Sequence, residues 1–142
     1  MLVTLDRLDD AFHFRATNET GCSVDLDASN SAGGNNKGVR PMQLVLMSLG
    51  GCSGIDVLQI LRKQRQLVVG LRVSVDGERP INRVPALYED IQIHFQFEGD
   101  LDPATVKRAV ELSLGKYCPV AAMLSQSAKI TYRITLNGEV HE

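Results

Sequence analysis

Polar and apolar residues alternate with a period of two in several stretches of the chain, and each stretch predicts a strand with one buried face. In AFHFRAT, Phe12, Phe14 and Ala16 alternate with His13, Arg15 and Thr17. Asn18 to Gly21 (NETG) reads as a turn, and CSVDLD returns as a second strand. LRVSVDGE, from Leu71 to Glu78, and IQIHFQFE, from Ile91 to Glu98, alternate in the same way, the second placing Ile91, Ile93, Phe95 and Phe97 on one face. Lys129 to Leu136 closes the series as a last strand.

Between these runs the period changes. Pro41 opens MQLVLMSLGGCSGIDVLQILRKQR, which predicts a long helix from Pro41 to about Gln66, with Arg62, Lys63 and Arg65 near its end. From Met42 to Leu61 its one charge is Asp56. A stretch of that length could span a membrane, but its glutamines, its glycines and the surrounding strands favour a helix buried on all sides, a subunit interface included. Asp102 and Pro103 start a second helix, with Val106, Ala109, Val110 and Leu114 at helical spacing and Gly115 as its predicted end. Pro119 starts a further helical turn through Leu124. Ala28 to Val39, rich in Gly, Asn and Ser, reads as a mobile loop, and RPINRVPALYED, with Pro80 and Pro85, as irregular. The order is α+β rather than a regular βαβ alternation.

Composition narrows the class. The chain has 142 residues, 44% of them hydrophobic and 5% aromatic, as expected of a single domain over residues 1–142 with an aliphatic core. A formal charge of −2 without long charge runs supplies no basic field for nucleic acid or an anionic membrane. The N-terminus lacks a basic and then apolar leader pattern, which points to the cytoplasm.

Three cysteines, Cys22, Cys52 and Cys118, are odd in number and form no CxxC, which argues against a disulfide framework or a metal site and leaves inert or reactive thiols. Cys118 precedes a helix start and lies two residues from Lys116, both of which favour its thiolate. Cys52 lies within the long helix, where burial favours the neutral thiol and Asp56, one turn on, opposes ionisation. Arg15 and Arg40 are the cations that could offset this. Gly50, Gly51 and Gly54 around Cys52 point either to close packing or to space left for a ligand.

The stretch RPMQLVLMSLGGCSGIDV, from Arg40 to Val57, together with Lys116-Tyr-Cys118-Pro-Val-Ala, resembles the OsmC/Ohr superfamily of osmotically inducible and organic-hydroperoxide-resistance proteins. The resemblance covers nearly the whole chain. It implies an intertwined homodimer, with antiparallel sheets wrapped around long central helices and sites at the subunit interface. It further implies that Cys52 attacks the peroxide bond of an organic hydroperoxide and that Cys118 resolves the sulfenic acid as a disulfide. An external dithiol then reduces that disulfide, and no cofactor or metal is needed. The alternative is a redox-sensing or ligand-binding dimer with little turnover. Cys22 matches no cysteine of the family and reads as structural. One departure stands out: where the best-characterised branches carry a Glu ten residues before the first cysteine, holding an Arg over the sulfur, this chain has Met42, with the neutral Gln43 beside it.

Overall fold

The computed structural model describes residues 1–142, and the alternating stretches form strands of two separate sheets. The chain divides into two units, Met1–Val45 and Leu46–Glu142.

The first unit holds a three-stranded antiparallel sheet in the order β1-β2-β3: β1 (Val3–Arg7), β2 (Phe14–Asn18) and β3 (Ser23–Leu26). The Asn18 side chain closes the predicted turn by accepting from the backbone N–H groups of Thr20 and Cys22. β1 is not announced by the hydrophobic pattern, because all five of its residues are exposed and no buried face marks it. The predicted loose loop after β3 is instead tied down. It contains a short 3-10 turn, Asn30–Ala32, and the buried Asp27 carboxylate accepts from the backbone of Ala28, Asn35 and Lys37. Those bonds, led by the one from Lys37, hold the Asp27 carboxyl below its ordinary pKa.

The second unit is built on a four-stranded sheet in the order β4-β5-β6-β7: β4 (Gly70–Glu78), β5 (Asp90–Glu98), β6 (Lys129–Leu136) and β7 (Glu139–His141). β5 and β6 are parallel, so this sheet is mixed and not antiparallel throughout. The reason is the helical crossover between them, which returns the chain to the starting end of the sheet. The chain also continues past β6, the predicted last strand. Asn137 and Gly138, both at positive φ, turn it into β7. Ile91, Ile93, Phe95 and Phe97 form the buried face of β5, with the last two rings 6.3 Å apart between centroids. Full burial of each such side chain contributes about 1.5–3 kcal/mol.

Helix α1 (Pro41–Lys63) ends three residues before the predicted Gln66. It buries one stripe, Leu49, Ser53, Gly54, Val57 and Leu61, and not its whole circumference. A sheet can cover one side only, so Met47, Ile55 and Leu58 face outward, Ile55 with 59% of its surface exposed. The glycines divide by role: a Cβ on Gly50 would come within 3.1 Å of Val75 and one on Gly54 within 3.6 Å of Val73, both on β4, while one on Gly51 would meet nothing within 4 Å. Close packing therefore accounts for Gly50, whereas at Gly54 a Cβ would sit at ordinary contact distance. Helix α2 (Pro103–Leu112) starts as predicted, with Asp102 accepting from Thr105 N–H. It does not stop at Gly115. The chain winds on through a π-type turn, Ser113–Tyr117, before α3 (Pro119–Leu124).

Candidate thiol site

Two local events deliver the sulfurs to one place. Helix α1 carries Cys52 one residue before its buried Ser53, and the π-type turn carries Cys118 toward that helix. The turn closes with a bond from Cys118 N–H to the Ser113 carbonyl at 2.8 Å. Pro119 then opens α3, and Cys118 Sγ accepts from Ala121 N–H at 3.4 Å. The result is a convergence of three donor atoms: Cys52 Sγ, Cys118 Sγ and an Asp56 carboxylate oxygen all lie within 4.8 Å of one another. Cys118 is buried, and Cys52 and Asp56 are half-buried.

Asp56 is held from the other side. Ser113, fully buried, places its hydroxyl 3.1 Å from an Asp56 carboxylate oxygen and 3.4 Å from the Ser53 carbonyl. Ser113 was not legible as a site residue, since a serine at the end of a helix carries no signal of its own. The sequence by itself marks Asp56 only as a charge opposing ionisation of Cys52.

The expectation of a readily ionised Cys118 is corrected. Its thiol is pushed up to about 11, first by burial, which outweighs the opposing bond from Ala121 N–H, and then by lesser contributions from the bond with Cys52 and from Cys52's charge; the N–H of Val120 opposes these most weakly. Desolvation outweighs the helix start, and Lys116 turns to the ring of Tyr117, 5.3 Å away.

The arginines have partners within the first unit. Arg15, on β2, grips Asp25 through two nitrogens at 2.8 and 3.1 Å, and His13 joins the same carboxylate at 3.0 Å. Arg40 directs one nitrogen at the carbonyls of Asp27 and Gly38 and another at Asn36 Oδ1. Gln43 does not bond a guanidinium. Its Oε1 accepts from Arg40 N–H at 3.0 Å, so it reaches back across the first turn of α1 as a cap. Cys22 is exposed, beside the β2–β3 turn, and so is not part of a packed core.

The OsmC-like protein family model matches residues 34–133, a span that includes both cysteines of the pair. Protein YhfA of Escherichia coli K12 is 42% identical over 120 residues, which is 84% of this chain and 86% of that protein. A crystal structure of a hypothetical protein from Aquifex aeolicus VF5 superposes with a TM-score of 0.79 at 33% identity, over 96% of both chains. An organic hydroperoxide resistance protein from Legionella pneumophila shares the fold, with a TM-score of 0.71 at 11% identity over 95% of this chain and 97% of that one.

Proposed function

Because the chain belongs to the OsmC-like protein family, we propose that it is a thiol-dependent peroxidase that reduces organic hydroperoxides through Cys52 and Cys118. The observation that carries the reading is the approach of the two sulfurs to within 4.8 Å. An S–S bond of about 2.05 Å asks each to move little more than side-chain rotation supplies. The hydroperoxide-resistance function in the name of the Legionella protein supports the same chemistry.

The Cys52 thiolate attacks the distal oxygen of the hydroperoxide. The O–O bond breaks, the sulfur becomes a sulfenic acid, and the alkoxide leaves with a proton as an alcohol. Cys118 then attacks the Cys52 sulfur. An S–S bond forms, and the sulfenic oxygen leaves as water with the thiol proton of Cys118. The raised pKa of Cys118 suits this order, because its thiol stays neutral and in reserve while Cys52 attacks. Oxidation of Cys52 removes the charge of that neighbour, a lesser cause of the raised value than burial, and so lowers the barrier to ionising Cys118 in part. An external dithiol returns both sulfurs to thiols and is itself oxidised to a disulfide. An aliphatic chain with few aromatic residues favours an alkyl over a fully polar peroxide.

Arg15 or Arg40 supplies the cation for Cys52 in this reading, with Gln43 setting the main chain at Arg40. The working unit is a cytoplasmic homodimer that covers Met47, Ile55 and Leu58. One observation favours the second reading, a redox sensor with little turnover: both arginines already direct donors to groups other than a sulfur, Arg15 to Asp25 and Arg40 to the loop around Asp27. Steady-state assay with an alkyl hydroperoxide and excess dithiol separates the two. Sustained consumption that is lost in Cys52→Ser supports the peroxidase, and Arg15→Met and Arg40→Met then identify the cation. Oxidation that stops after one equivalent supports the sensor.

A further inference from the structure

Beyond peroxide chemistry, we infer that Cys52, Asp56 and Cys118 form a three-ligand site for a thiophilic divalent cation such as Zn2+. No spacing motif announces it. Cys52 and Asp56 are one helical turn apart on α1, and Cys118 reaches them from the end of the π-type turn, so the set exists only in three dimensions.

The donor set is a known kind for zinc: two thiolates and a carboxylate, with a fourth position left for water or another donor. Two Zn–S bonds of about 2.3 Å at the tetrahedral angle place their sulfurs about 3.8 Å apart. All three donor atoms already lie within 4.8 Å of one another, so closing onto a cation shortens the sulfur–sulfur separation by at most about 1 Å and each sulfur–oxygen separation by at most about 1.3 Å. The ligands are also held from behind. The Ser113 hydroxyl lies 3.1 Å from Asp56, and Ala121 N–H donates to Cys118 Sγ, contacts that fix ligand direction in metal sites. Burial points the same way, since Cys118 is 2% exposed and Ser113 fully buried.

Binding is balanced by proton release: the cation replaces the protons of both thiols, two sulfur–metal bonds form, and neither the metal nor sulfur changes oxidation state. With the Asp56 carboxylate, the bound site carries one net negative charge. Both sulfurs are then engaged.

The test is anaerobic titration of reduced, chelator-stripped Cys22→Ser protein with Co2+, which reports thiolate ligation and tetrahedral geometry by its absorption. One Co2+ per chain is expected, with thiolate-to-cobalt charge transfer and strong visible bands that Zn2+ then bleaches. Cys118→Ser should halve the charge-transfer intensity, and the isosteric Asp56→Asn should raise the dissociation constant about tenfold or more. Zn2+ should raise the melting temperature of the unsubstituted protein in step with its concentration, a readout that needs no variant. Absent visible bands, charge transfer undiminished in Cys52→Ser or in Cys118→Ser, or an unchanged constant in Asp56→Asn each overturn the inference. Peroxide consumption by metal-free protein is read separately. Binding without consumption leaves this site standing and removes the peroxidase, and consumption without binding does the reverse.

Discussion

Ser113 places its hydroxyl 3.1 Å from an Asp56 carboxylate oxygen and so ties the end of α2 to the turn of α1 that carries Cys52. This bond joins segments far apart in sequence, and the thiol pair is assembled across the same junction. Ser113→Ala should lower stability by about 1.5–3 kcal/mol, the net worth of a hydrogen bond to a charged group. It should also slow closure of the Cys52–Cys118 disulfide after a hydroperoxide pulse. Urea unfolding reads the first effect and rapid-quench thiol counting the second; an unchanged rate of closure would assign the bond to stability alone.

The face of β5 makes a second prediction. Ile93 is fully buried on that strand, beside Phe95. Ile93→Ala should cost about 2–5 kcal/mol through lost burial and the cavity left behind. The urea midpoint should fall with the denaturant slope unchanged. A loss below 1 kcal/mol would mean that this part of the core collapses around the gap.

Acid should expose the grip on Asp25. Its carboxyl is held at about 2, chiefly by the Arg15 hydrogen bonds and then by His13. A depressed carboxylate contributes stability that is fully present above its unfolded value, near 3.9, and that is lost as the pH falls toward 2. Stability measured between pH 4.5 and 2, a window of about this width, should therefore fall less steeply in Asp25→Asn than in the parent. Parallel slopes would mean that the ion pair adds nothing to folding.

The outward face of α1 tests the assembly. Met47, Ile55 and Leu58 leave an apolar surface on the single chain, and a second copy is the proposed cover. Ile55→Glu should convert a dimer to a monomer in light scattering at micromolar concentration, with far-ultraviolet circular dichroism retained. A parent protein that is itself monomeric would contradict the dimer.

Much of the fold was legible because buried faces leave a periodic trace. The β5 face from Ile91 to Phe97, the Asp102 cap and the Pro119 helix start all stand as the sequence places them. What escaped lacks such a trace. β1 is exposed at every residue, and β7 is a short strand whose only local signal is the Asn137-Gly138 turn before it. The parallel pairing of β5 with β6 follows from a crossover, which no local pattern encodes. At the site, Cys52 and Cys118 were legible through their motifs. Their junction with Asp56 and Ser113 was not, because a π-type turn past Gly115 makes it. The raised pKa of Cys118 is hidden for the same reason: the local sequence shows the helix start and Lys116, while burial, which dominates, belongs to the tertiary structure.

The central claim is that Cys52 and Cys118 act as one redox pair. The most direct measurement is thiol counting and intact-mass analysis of reduced, metal-free Cys22→Ser protein after one equivalent of an alkyl hydroperoxide. Both thiols should disappear together, the mass should fall by two hydrogen atoms, and peptide mapping should find Cys52 joined to Cys118. Two free thiols after exposure, or Cys52 oxidised to its sulfinic acid with Cys118 still free, would contradict it.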